Sequence, residues 1–302
     1  MNPNAPTAGS NLQAYAFLVL TTLCWGMNAV LGKFAVGEVS PMALVSLRWL
    51  GVVILMTIIA RRQVARDWPI LKKRLLYMLI MGSLGFTGFN TLFYVAAHST
   101  TAVNIGILQG SIPVFVITAA FFALKDKVTP LQIIGVLVTI IGVIIVGSGG
   151  SLERLARLEL NRGDVMMLGA CALYAGYTVG LRFKPDVSAL SFFAIMATAA
   201  FVTSLPFTFV EIQLEHFLAP TSSGWIVVVL VTLFPSFIAQ LTFIRGVEIL
   251  GPGRAGVFAN LVPVFASIFA VSFLGEPFEI YQGTALILVL FGIWISERGK
   301  AT

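Results

Sequence analysis

Polar and aromatic side chains set inside long apolar runs are the first chemistry this sequence offers. Phe86, Asn90, Tyr94 and Ala97 recur at spacings of three and four, which is one face of a helix. Phe237, Gln240 and Ile244 form a second such face, with Gln240 lying 150 positions after Asn90. Gly106, Gln109, Gly110 and Pro113 share one side of another apolar run, and Gly256, Asn260 and Pro263 do the same further on. Trp25 and Asn28, with Tyr174 and Tyr177, add aromatic walls. Amides, phenols and rings are poor acids and bases near neutrality, so this is chemistry of binding rather than of bond breaking. A zwitterion with a variable side chain would suit it. Polar groups at membrane depth are costly unless they face a cavity or a partner. For each residue taken singly, a hydrogen bond between helices is the other use.

Charged side chains narrow the chemistry further. All thirteen Asp and Glu residues fall in loops or at the ends of apolar runs, so no carboxylate stands at mid-depth to carry protons. His98 and His216 are terminal as well, and passive or weakly coupled movement of a solute is the expectation. Arg48 lies seven residues past Pro41, inside an apolar run. It could attract a carboxylate, or pair with Glu38 and backbone carbonyls at the outer face; snorkelling of arginine near a helix end favours the pair. Lys33 has the same two readings. Cys24 and Cys171 have no CxxC spacing and no neighbouring histidine, so they read as buried thiols. HExxH, GxSxG and Walker sequences are missing, and neither cofactor, metal nor catalytic role is expected. "GPGRAG" (251–256) matches GxGxxG but follows an apolar run where a dinucleotide site needs a strand. "GILQG" and "GYTVG" are GxxxG spacings that let helices approach.

The elements that must hold these residues follow from composition. The chain has 302 residues, 58% hydrophobic and only 11% charged, against about a quarter charged in a soluble domain. Such a chain cannot cover a water-facing surface, and lipid is its solvent. About 20 apolar residues cross a bilayer as a helix. Ten stretches qualify: 15–36, 42–60, 75–97, 102–124, 130–147, 165–183, 189–210, 224–244, 254–274 and 278–296. Lys and Arg gather in alternate joints, at 61–74, 125–127, 182–184 and 245–254, and in the tail, which places both termini in the cytoplasm. "LERLARLEL" is the exception on the outer side, and its leucine spacing suggests a helix lying in the interface. The N-terminus has no basic residue before the first apolar run, which argues against a cleaved signal peptide. The net charge of +6 belongs to the cytoplasmic membrane face, so nucleic acid is not implied, nor is an obligate protein partner.

The chain also repeats itself. "GILQGSIPVF" (106–115) returns as "GVFANLVPVF" (256–265), with Gln132 on Gln282 and Gly142 on Gly292. Residues 1–147 then form a first five-helix unit, 148–163 a periplasmic connection with its interfacial helix, and 164–302 a second five-helix unit. Five is odd, so the second unit enters the membrane from the opposite side: an all-α integral membrane protein of ten helices in a 5+5 inverted-topology repeat. Pro113 and Pro263 would break their helices in the middle, freeing the carbonyls of Gln109 and Ala259 and making hinges with Gly106 and Gly256.

"LCWGMN...GK" in the first span, Arg48 in the second, and the Pro-Val-Phe helices followed by "LKDK" and "LGEP" resemble the EamA-type drug/metabolite transporters, with YddG-like amino-acid exporters the nearest likeness. The resemblance covers nearly the whole chain. It implies a bacterial inner-membrane carrier that exports amino acids or related small molecules. Asp126 departs from the glutamate of that pattern, which Glu276 keeps, so a shared role for the two acids is not implied.

Overall fold

The computed structural model describes residues 8–125, 127–151, 153, 161–250, 255 and 258–298. All regular structure among them is helical. In chain order the helical stretches are α1 (Ala8–Ala35), α2 (Pro41–Ile59), α3 (Arg61–Ala96), α4 (Ala102–Leu124), α5 (Pro130–Gly147), α6 (Arg162–Phe183), α7 (Ala189–Gln213), α8 (Ser222–Leu250), α9 (Phe258–Leu274) and α10 (Ile280–Arg298). The first eight are long and apolar enough to cross a membrane, while α9 and α10 carry shorter apolar stretches. Helix starts are written locally. Thr101, Thr129, Asn161, Ser188 and Thr221 each accept a backbone N–H from the first turn that follows them, and Thr129 with Gln132 closes a reciprocal capping box. Gly256 and Asp126 lie outside the described residues, as do the supposed interfacial helix except Glu153 and "GPGRAG" except Ala255.

Three local features differ from the sequence expectation. Helix α3 starts at Arg61 rather than near residue 75, because the polar "RRQVARDW" segment is helical too. Within α3, Ser83–Gly88 winds as a π-helix, and Thr232–Ile238 does so within α8. Neither proline sits in mid-helix. In α4 the chain tightens first, with Gly110 N–H donating to the Ile107 carbonyl and Ser111 N–H to that of Leu108. A new helical piece then starts at Ile112, with Pro113 in its first turn, where a missing N–H costs nothing. In α9 a 3₁₀ turn, Phe258–Leu261, precedes Val262, and Pro263 occupies the same first-turn place. Both helices are broken ahead of their prolines, not at them.

Matching helices of the two halves pack on one another antiparallel. A Cβ on Gly135 of α5 would lie 2.4 Å from the carbonyl oxygen of Gly292 in α10, and one on Gly142 would lie 2.9 Å from that of Ala285. The start of α5 therefore meets the end of α10, and the reverse. In α2 and α7, Ser46 bonds Ser204 and Thr208 through their hydroxyls at 2.8 and 2.7 Å. Glu211 near the end of α7 accepts the N–H groups of Met42 and Ala43 at the start of α2. Large apolar side chains such as Leu76, Phe122 and Ile280 point outward, as lipid-facing helices require.

Candidate functional site

A cavity of about 180 Å³ opens where the interrupted helices meet. Its wall takes Trp25 and Asn28 from α1, Arg48 and Trp49 from α2, and Gly85, Phe86, Phe89 and Asn90 from α3. Gln109, Gly110, Ile112 and Pro113 come from α4, Tyr174 from α6, Pro235 and Gln240 from α8, and Ala259, Asn260 and Val262 from α9. Both π turns and both helix breaks thus border one space. A π turn widens the helix and turns its side chains off the regular face, and such turns are frequent at functional sites.

Most of the residues expected from sequence are brought together here: Trp25, Asn28, Phe86, Asn90, Gln109, Tyr174, Gln240, Asn260 and Pro113 line the cavity. Others stand behind the wall. Tyr94 supports Arg48, and the Tyr177 ring lies against Phe86 (5.5 Å between centroids) and Tyr174 (5.4 Å). Phe237 packs against the hydrophobic core, and Gly106 lets Ala266 of α9 approach, where a Cβ would lie 2.4 Å from that of Ala266. Pro263 is buried behind Gly110 and does not line the cavity. The aromatic wall is pre-packed: the Trp49 and Phe86 rings stack at 4.6 Å and 6°.

Arg48 overturns the pairing that sequence favoured. Its side chain is buried, 5% exposed, and reaches the centre rather than the outer face. Nε donates to Ser236 Oγ, and Nη1 donates to Asn90 Oδ1 (2.7 Å), Tyr94 Oη and Asn28 Oδ1 (3.4 Å). Each partner is held for the task. Pro235 has no N–H for the Val231 carbonyl four residues back, and the Ser236 hydroxyl donates there instead. Tyr94 donates its own proton to Asn28 at 3.0 Å, and Asn90 Nδ2 donates to the Phe86 carbonyl at 2.6 Å. Glu38 is elsewhere, accepting from Thr221. The reason is depth: seven residues at 1.5 Å per residue carry Arg48 about 10 Å into the helix, too far to snorkel. That spacing was the signal available.

Lys33 keeps to the structural reading, donating to the carbonyls of Ala97 (2.8 Å) and Thr100 (3.0 Å) past the end of α3. It borders a second, more polar pocket with His98, Asn104, Asp164 and Tyr281. The charges there are already engaged, since Asp164 accepts from Thr100 and Asn104. His98, in the turn after α3, is held below its ordinary value by burial and then by the Lys33 charge, with Glu211 acting the other way.

The EamA-like transporter family model matches this sequence twice, over residues 12–148 and 161–297. The uncharacterized transporter YyaM of Bacillus subtilis (strain 168) is 28% identical over 94% of this chain and 93% of its own. YetK of the same strain, also an uncharacterized transporter, is 27% identical over 95% of this chain and 87% of its own. The uncharacterized inner membrane transporter YedA of Escherichia coli (strain K12) is 22% identical over 96% and 92%. A protein of known crystal structure has the same fold, with a TM-score of 0.63 at 17% identity over 96% of each chain.

Proposed function

We propose, from the premise that this chain belongs to the EamA-like transporter family, that it is a secondary transporter exporting amino acids, aromatic and other neutral ones, or related small metabolites across a bacterial inner membrane by alternating access. The observation that carries this reading is the cavity where the breaks of both halves meet. Binding sites between repeats of opposite orientation lie near mid-membrane in such carriers, and exchange of conformation between the halves exposes the site to each side in turn. Antiparallel packing of α5 on α10 and of α2 on α7 supports the 5+5 inverted plan, with α9 and α10 completing ten spans and both termini cytoplasmic. Pro113 and Pro263, with Gly106 and Gly256, serve as its hinges. Tyr94, Tyr177 and Phe237 act on substrate through the wall residues they support. A carrier of another small metabolite or drug on the same fold is the alternative.

Counterflow in liposomes tests it. Purified protein should exchange labelled amino acid across the bilayer chemically unchanged, saturably and without an imposed pH gradient. Conversion of the solute would point to an enzyme, and strict need of a pH gradient would remove the uncoupled mechanism.

A further inference from the structure

Arg48 brings to the cavity a positive charge that no described residue neutralises. Arginine stays protonated in proteins. Its four hydrogen bonds all run to neutral oxygens, of Ser236, Asn28, Asn90 and Tyr94. No described carboxylate pairs with it, and its Nη2 group makes no hydrogen bond to the described residues while the side chain borders the cavity. A buried cation without a counter-charge is among the costliest groups a fold can hold. Here one has been built in. Ser236, Tyr94 and Asn90 each direct their own protons elsewhere, so that every one turns a lone pair to the guanidinium.

Two more donors on the same wall are idle. The Trp49 indole N–H and the Gln109 amide nitrogen are buried with no acceptor, and both residues line the cavity. Buried donors are nearly always satisfied, so orphans gathered around one space mark acceptors that arrive with a ligand. The rest of the wall is uncharged, aromatic at Trp25, Phe86, Phe89 and Tyr174, with neutral amides at Asn28, Asn90, Gln240 and Asn260. No acid among the lining residues waits for an ammonium group.

We infer that the recognised group is a carboxylate, seated on Arg48 with the Trp49 and Gln109 donors about it, and that the substrate class is small molecules with a single carboxylate on an apolar or aromatic body, for which an amino group is not required. This rests on the transport reading above and adds the chemistry of the site. A planar carboxylate matches the guanidinium fork and neutralises its single charge. A divalent anion would bring a second charge into a wall whose one charged side chain is Arg48, and a cation would meet Arg48 unscreened.

Four solutes with the same ring test it on the wild-type protein: phenylalanine, 3-phenylpropionate, phenylalaninamide and phenethylamine. Thermal unfolding of the detergent-solubilised protein is followed with each at increasing concentration, since a ligand of the folded state raises the midpoint. The two carboxylates should raise it and the two amines should not. Arg48→Lys should weaken the carboxylate response by tenfold or more, since a point charge replaces the fork. If the amines stabilise as well as the carboxylates, or 3-phenylpropionate does nothing while phenylalanine works, the inference is overturned. The same four solutes in liposome counterflow separate it from the function. A protein that carries only the amines keeps the transport reading and loses this one, and a protein that carries none loses both.

Discussion

Glu211 and Asp67 hold corresponding posts at opposite ends of one helix pair. Glu211, near the end of α7, accepts from Ser40 Oγ and from the N–H groups of Met42 and Ala43 at the start of α2. Asp67, past the end of α2, accepts the N–H of Ser188 at the start of α7 at 3.0 Å. Each carboxylate meets the positive end of a helix dipole, Glu211 that of α2 and Asp67, from the first turns of α3, that of α7. Glu211→Ala should therefore lower stability by about 2 kcal/mol, from a buried carboxylate with several hydrogen bonds. The check is the unfolding midpoint in detergent, and an unchanged midpoint would make the contact incidental.

Glycine at the α5–α10 contact is required by space, and Gly176 in α6 is not. Gly135→Ala would drive a methyl group to 2.4 Å from the Gly292 carbonyl oxygen, while a methyl group on Gly176 would have nothing within 4 Å of it. The first change should cost about 1–3 kcal/mol as overpacking. The second should leave stability level or raise it by about 0.5–1 kcal/mol from helix propensity. Unfolding midpoints of the two variants side by side decide it, and equal values would contradict the close approach.

Pro113 and Pro263 occupy matching first turns, so alanine at either adds an N–H that can carry the helix back across the break. Pro113→Ala and Pro263→Ala should each slow liposome transport several-fold without loss of folded protein, because a few kcal/mol separate such conformers. Cysteine accessibility in the cavity should shift toward opposite sides in the two variants. Normal rates in both would leave the breaks without a hinge role.

Sidedness follows from the inverted plan. A single cysteine at Arg66 should react with an impermeant reagent from the cytoplasm only, and one at Glu215 from outside only. Both positions are exposed. Labelling of Glu215→Cys from the cytoplasm would overturn the topology.

Acid should weaken the fold slightly through His98. Its folded-state value lies below the ordinary 6.5, so the unfolded chain takes up the proton first. Stability then falls as the pH drops from 6.5 to the lowered value and is level beyond it. His98→Gln should flatten that part of the stability–pH profile.

What sequence could tell depended on how local the cause was. Apolar runs placed α1 to α10, because hydropathy acts residue by residue, and Pro-Val-Phe marked both broken helices. The polar start of α3 was missed because "RRQVARDW" carries no membrane signal. Half of the wall residues were found, as polar, aromatic or proline positions at helical spacing, a pattern visible within one helix. Arg48 was misjudged because its partners come from α1, α3 and α8, 20 to 188 positions away. The π turns left no pattern of their own.

Those turns govern how the two halves can be compared. Phe89 and Ala239, where regular winding resumes, stand 150 positions apart, the same interval that separates Asn90 from Gln240. One added residue in an α-helix rotates everything beyond it by about 100°. A π turn holds such a residue, and because α3 and α8 each carry one at the same place, the rotation is common to both halves. Gln240 therefore follows its turn as Asn90 follows the first, and a plain α-helix in either half would carry one of the two amides off the cavity.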